Sequence, residues 1–365
     1  MNKDVKNKLV LFGCPLDCDE KHDSILEKHQ RGWPADLPAD PLLPVAAILE
    51  DEAPEGGWEN LGSVPVPSWL SPLPGPDGID RVVVDEFVAF LDAGGCLNKA
   101  EELAELTASR IRPDIPCLVA VDHSMAGGPL KALSSELGPE EISLVVLDAH
   151  TDAIPMAAMG SAIAWDIKTN PATVYDPEDP FIRNRADSYN ASSFIHHLLE
   201  GEVIYPENLY LLGVTDFPDK KALRIKDPLL KEYISAFTSL RKRGGTVITK
   251  KDLSAGSGKA RAALSRIDTP YVYVSVDLDV GAGKALSGVR FTDRYGISAG
   301  QMYSLARALR ALLGRGVELI GMDVSEFNPR RAGTVIEGRV DPTYRIAADF
   351  IKIIGLGLSP ERPLI

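Results

Sequence analysis

The chain is poor in cysteine, has no long apolar run and carries no surplus of positive charge, and each shortage closes off a class of protein. Four cysteines (Cys14, Cys18, Cys96, Cys117) are scattered over 365 residues. Their irregular spacing gives neither a disulfide framework nor paired CxxC metal motifs, so they read as reduced thiols in a cytoplasmic protein. No apolar run approaches the ~20 residues of a membrane span. Lys8-Leu9-Val10-Leu11-Phe12-Gly13-Cys14 has the outline of a lipoprotein leader, but a secretory leader needs roughly 7–15 apolar residues and only Leu9 to Phe12 qualify. The formal net charge is -13, with no Lys/Arg cluster to offset it, which argues against a nucleic-acid partner. Internal repeats and low-complexity segments are absent too.

What is present is a 45% hydrophobic chain in which strand and helix patterns alternate. Strands are expected at 9–13, 116–121, 143–148, 208–214, 246–249, 271–279 and 317–322. Helical periodicity marks 79–91, 99–110, 194–200, 228–243, 299–313 and 344–354. This alternation predicts a three-layer α/β/α domain with a mostly parallel sheet of about eight strands. No linker interrupts it, so residues 1–365 form one domain. Two stretches break the pattern. Residues 33–76 hold ten of the 27 prolines and three of the four tryptophans, too many prolines for regular elements, and read as a wrapped loop with one short strand near 61–66. Residues 153–189 read as a long polar loop over the active site, far beyond a usual βα connection. That loop carries Lys168, Arg183 and Arg185 beside Asp166, Asp176, Glu178, Asp179 and Asp187.

Four of the expected strands end in acids or histidines. The run 143–147 empties into Asp148-Ala149-His150-Thr151-Asp152; 271–276 into Asp277-Leu278-Asp279; 116–121 into Asp122-His123-Ser124; and 317–322 into Asp323-Val324-Ser325-Glu326. Alternate side chains of a strand share a face, so Asp148 with His150, and Asp277 with Asp279, can each address one point. Ligands of a parallel α/β sheet bind beyond the carboxyl ends of its strands. His123, Asp148, His150, Asp152, Asp277 and Asp279 make a hard ligand set of four carboxylates and two imidazoles. It suits two divalent ions, manganese first, with nickel, iron or zinc as alternatives. Two such ions about 3.5–4 Å apart lower the pKa of a shared water toward about 7, which points to hydrolysis through a metal-bridging hydroxide.

These residues carry a resemblance. Asp148 to Asp152 matches the DAHxD motif of the ureohydrolase family of arginases and agmatinases, Ser275 to Asp279 resembles its SxDxD motif, and Asp122-His123-Ser124 resembles the end of its GGDHS motif. GMDVSEFNP, from Gly321 to Pro329, is similar to its last strand. The resemblance implies an arginase-like fold, a cytoplasmic homo-oligomer, and cleavage of a C–N bond of a guanidino or amidine compound, with urea as product. It also implies roles: Asp148 and Asp277 bridging the ions, His123 and Asp152 completing one, His150 and Asp279 the other, and Glu326 pairing with the substrate guanidinium. The chain departs from the family in three places. A glycine-rich loop follows Asp279 in place of a third aspartate, and Ile154 stands where arginases carry an asparagine. Asn190 falls where the family's catalytic histidine is expected, and asparagine is no proton donor. The spare histidines nearby, His196 and His197, are substitute donors or packing residues, and Asp152 could return the proton itself. Two rival readings are a binuclear phosphoesterase and a metal-binding paralogue without catalysis.

Overall fold

A computed structural model describes residues 7–30, 37–173, 175–178, 182, 185–218, 220–292 and 295–358. Trp33, Pro34, Asp179 and Arg183 lie outside the described residues. Eight strands form one sheet: β1 (Leu9–Cys14), β2 (Trp58–Ser63), β3 (Ile115–Ala120), β4 (Ile142–Leu147), β5 (Leu209–Val214), β6 (Thr246–Thr249), β7 (Tyr271–Asp277) and β8 (Glu318–Ser325). Their order is β2-β1-β3-β8-β7-β4-β5-β6, and every neighbouring pair is parallel.

Strands covered on both faces read as continuous apolar runs, and β1, β4 and β5 are buried along their whole length. Alternate side chains divide between two cores. Leu9, Leu11, Val145, Leu147, Val274 and Val276 face the helices Leu42–Glu52, Ala299–Leu313 and Thr343–Phe350. Val10, Phe12, Leu144, Val146 and Tyr273 face Val84–Asp92, Gly95–Leu106, Gly127–Leu137 and Phe194–Glu200. This is the three-layer sandwich expected from the alternation. One edge is polar: β2 shows Glu59 and Asn60 to solvent, which discourages pairing with another chain.

Several expectations need correction. The proline-rich stretch is not all loop: it contains the helix Leu42–Glu52. Pro44 sits in its first turn, where no intrahelical N–H bond is lost. The strand in that stretch is β2, Trp58–Ser63, somewhat earlier than 61–66 and paired with β1. Residues 153–189 are not a plain loop either, because Met156–Thr169 is a 14-residue helix. Four further helices lie outside the expected ones: His22–His29, Gly127–Leu137, Lys250–Leu253 and Gly258–Leu264. The second opens on Gly127-Gly128-Pro129, which as sequence looks like a turn. In place, a Cβ on Gly128 would meet the Ala100 carbonyl and Leu103, so glycine there permits close helix packing.

Candidate metal centre

In the sheet, β3, β8, β7 and β4 are consecutive neighbours, so the four acid-bearing strand ends lie side by side on one edge. The register sets Leu147 opposite Val276 and Asp277 opposite Ser325. Gly213 makes room next to them: it interrupts the β5 register at φ 111°, and a Cβ there would come within 3.0 Å of the Asp148 carbonyl.

The strands stop earlier than the alternation argument assumed. Asp148 and Asp279 lie just past the ends of β4 and β7, and the side chains converge through turns instead. One device is used three times: a strand-end aspartate accepts a hydrogen bond from the backbone N–H two residues on. Asp122 Oδ1 accepts from Ser124 N (2.9 Å), Asp148 Oδ1 from His150 N (2.6 Å) and Asp277 Oδ1 from Asp279 N (2.7 Å). Such turns fold the chain back over the strand end. At Asp148 and Asp277 the turn occupies one carboxylate oxygen and leaves the other for the centre.

There, ligand atoms of His123, Asp148, Asp152 and Asp277 lie within 4.8 Å of one another, as do those of Asp148, His150 and Asp279. Asp148 belongs to both groups. His123 Nδ1 is 2.8 Å from Asp152, 3.3 Å from Asp277 and 3.4 Å from Asp148. His150 Nδ1 is 2.9 Å from Asp279. The structure thus brings all six sequence-expected ligands together. Asp122 stays apart, its second oxygen accepting from the buried Cys18 thiol at 2.9 Å.

The electrostatics fit bound cations. Burial, then Asp152, raises Asp148 well above the usual carboxylate range; burial, then Asp279 and Asp148, does the same for Asp277. Burial alone would lower His123, but its bonds to Asp148, Asp152 and Asp277 raise it well above normal. Acids that resist ionising together next to imidazoles seeking a proton describe a centre short of positive charge. Asp148 Oδ2 is buried without a hydrogen-bond partner, and Asp279 Oδ2 lies 2.9 Å from the His150 ring nitrogen; buried polar atoms rarely stay unpartnered. The donor set and these oxygens fit two divalent ions.

Two supporting residues lay inside quoted motifs without a role. His123 Nε2 is 2.8 Å from Ser275 Oγ, which donates to Asp323 Oδ1 at 3.0 Å. This chain fixes the ring and directs Nδ1 to the acids. Burial pushes Asp323 up to about 6. A third, Asp216, holds the turn after β4 by accepting from Thr151 N (3.2 Å) and Oγ1 (3.1 Å); no motif marks it in the sequence.

Glu326 stands beside the cluster. Its Oε1 accepts from His123 N at 3.1 Å, its Oε2 is buried without a partner, and its backbone is left-handed at φ 68°. Burial, then Asp122 and Asp279, raises its carboxyl well above normal. A cavity of about 320 Å³ opens here, with His150, Asp152, Asp277 and Glu326 in its lining. Asn190 lines a smaller adjoining space with Asp122, Arg290 and Glu326. Its Oδ1 accepts from Ser192 N at 2.9 Å, and its buried Nδ2 has no partner. The substitute-donor idea for His196 and His197 meets no support. His196 turns to Asp187 at 3.4 Å and lines a separate surface cavity, and His197 packs on Tyr189. Neither lines the main cavity.

The model of the arginase family matches residues 86–354. The chain belongs to the arginase family. Solved structures similar to this arginase-family chain include arginase from Bacillus caldovelox, 14% identical, with a TM-score of 0.56 over 96% of this chain and 98% of that one. Formimidoylglutamase from Bacillus subtilis is 15% identical, with a TM-score of 0.55 over 99% and 90%. Proclavaminate amidino hydrolase from Streptomyces clavuligerus is 17% identical, with a TM-score of 0.54 over 94% and 88%. At these identities the likeness is one of fold. No curated protein matches the chain.

Proposed function

We propose that the chain is a binuclear metal hydrolase that cleaves a C–N bond of a guanidino or amidine compound and releases urea from a guanidino substrate. The observation that carries this reading is Glu326, whose Oε2 has no hydrogen-bond partner, in the lining of a cavity that also reaches Asp152, His150 and Asp277. A planar guanidinium offers a carboxylate paired N–H donors, so Glu326 would orient the substrate head against the ligand cluster. His123, Asp148 and Asp277 with Asp152 would hold one divalent ion, and Asp148 and Asp277 with His150 and Asp279 the second. Manganese is the ion that the oxygen-rich set favours. When bound, such a pair supplies Lewis-acid activation of water at neutral pH.

The chain's own residues do the rest. Ser275 and Asp323 hold the His123 ring. Asp152 reaches the cavity from a loop and would take a proton from the attacking water and return it to the leaving nitrogen. Asn190 orients without titrating. A small guanidino substrate, a cytoplasmic setting and a homo-oligomer accompany this reading; nucleic acid and membrane do not. Among the described residues no helix is long and apolar enough to cross a membrane.

The test is elemental analysis of purified protein together with urea release across arginine, agmatine, 4-guanidinobutyrate, guanidine and alkylguanidines. Two divalent ions per chain with urea from at least one compound supports the proposal. Two ions with no turnover on any of them, or on amidines, leaves a metal-binding paralogue.

A further inference from the structure

We infer that the substrate's tail, the part beyond its guanidinium or amidine head, is an uncharged hydrocarbon. This rests on the function proposed above and names its substrate class. The cavity lies between two packed helices, each presenting an apolar stripe at helical spacing: Met159, Ala162 and Ile163 from Met156–Thr169, and Leu230, Tyr233 and Ile234 from Pro228–Lys242. Ile154 and Phe237 pack beneath Met159 and Tyr233, so the stripes are backed by core. Toward the mouth, Tyr175 and Ile225 keep 38% and 36% of their surface in water. Large apolar side chains left exposed around a cavity mark a place where an apolar partner sits.

Among the described residues, the two acids of the wall outside the ligand cluster and Glu326 accept hydrogen bonds from neighbouring side chains. Asp166 accepts from Thr173 Oγ1 (2.6 Å) and Asn170 Nδ2 (3.2 Å), and Asp216 from Thr151. Apart from His150 of the ligand cluster, Lys21 is the one basic side chain in the lining among the described residues, and its ammonium lies 4.2 Å from the centre of the Phe291 ring. A carboxylate tail would therefore meet two acids and one occupied cation, and an ammonium tail would find Asp166 and Asp216 already accepting hydrogen bonds and lose its water against the aliphatic walls around them. A hydrocarbon tail gains from burial there, by roughly fourfold in binding per methylene.

The experiment uses the manganese-loaded full chain and measures both urea release and calorimetric binding. The series is n-propyl- to n-hexylguanidine and 2-phenylethylguanidine, against agmatine, 4-guanidinobutyrate and arginine. Expected is kcat/KM rising with each methylene, carried mostly by KM, with n-butylguanidine ahead of its charged counterparts. Ile234→Glu, at a half-buried wall position, should keep the metal content, lower the alkyl series and raise agmatine. A flat series, or agmatine, 4-guanidinobutyrate or arginine ahead of n-butylguanidine in the unmodified protein, overturns the inference. If no compound yields urea, the catalytic reading fails and binding decides separately. Affinity that climbs with chain length then sustains the apolar-tail site, and affinity indifferent to it removes that site as well.

Discussion

Asp152 and Glu326 sit at φ 46° and 68°, a region that costs an L-residue about 1–3 kcal/mol. A backbone held there against its preference aims a side chain that ordinary geometry could not. For Glu326 the aim is the cavity. Replacing it with Gln should leave metal content unchanged and cut kcat/KM for guanidinium substrates by a factor worth about 2–4 kcal/mol, the scale of losing one partner of a desolvated charged pair. Equal kinetics in the variant would remove Glu326 from the site. Ser275 holds the His123 ring, so if the proposed centre is right Ser275→Ala should weaken binding of the ions about 10–100-fold while the protein folds normally. Competition with a chromophoric chelator reads this directly. Asn190→His would restore an ionising group in the space beside Glu326. The expected result is higher turnover or a new limb in the pH–rate profile, within the 10²–10⁴-fold typical of general acid–base catalysis; a superimposable profile would discard the alignment of Asn190 with a proton donor. All six proposed ligands could be named from sequence because each follows an apolar run. Ser275 and Asp323 could not be given roles, since a polar residue inside a strand does not say which neighbour it faces.

The elements that sequence made visible have strong local marks. The helix Ala299–Leu313 begins at a capping box, Ser298 with Gln301, and keeps an apolar stripe through seven buried positions. Leu42–Glu52 was hidden by its proline, and Met156–Thr169 by small residues and an apolar face turned to the cavity instead of the core. The short helix Lys250–Leu253 shows how such a mark titrates. Asp252 accepts from Thr249 N (3.0 Å) and Oγ1 (2.7 Å) and pairs with Lys259 at 2.5 Å. Lys259 first, then Thr249, hold its carboxyl down at about 2. A depressed carboxylate contributes stability that is complete above about pH 4 and lost as pH falls toward 2. The group is partly exposed, so solvent screening keeps its worth below about 1 kcal/mol. Asp252→Asn should therefore melt slightly lower than the parent at pH 5 and converge with it near pH 2, as followed by circular dichroism.

At the scale of the molecule, the sandwich and its eight-stranded sheet followed from the alternation of patterns, but the strand order did not. Nothing local in β7 or β8 says that they lie between β3 and β4. That order gathers four carboxylates at the middle of the sheet edge, and ions bound there stabilise the folded form alone. Stripping them with a chelator should lower the melting temperature by several degrees, reversed by returning manganese. At a hundredfold excess over its Kd, each ion contributes about 2.7 kcal/mol. A melting curve indifferent to chelation would separate the acid cluster from metal binding.

The same order has a consequence in time. Strands β3 and β4 are made early and close together, yet two strands must come between them in the finished sheet. While the chain is being synthesised, the part already made has to hold a gap open, or reopen one, until residues up to Glu326 have left the ribosome. His123 waits some two hundred residues for the glutamate that its backbone will donate to. A product truncated before β7 therefore carries DAHxD and DHS without Asp277 and Asp279, and the stretch of sheet that gathers the six proposed ligands closes only once β8 has been made.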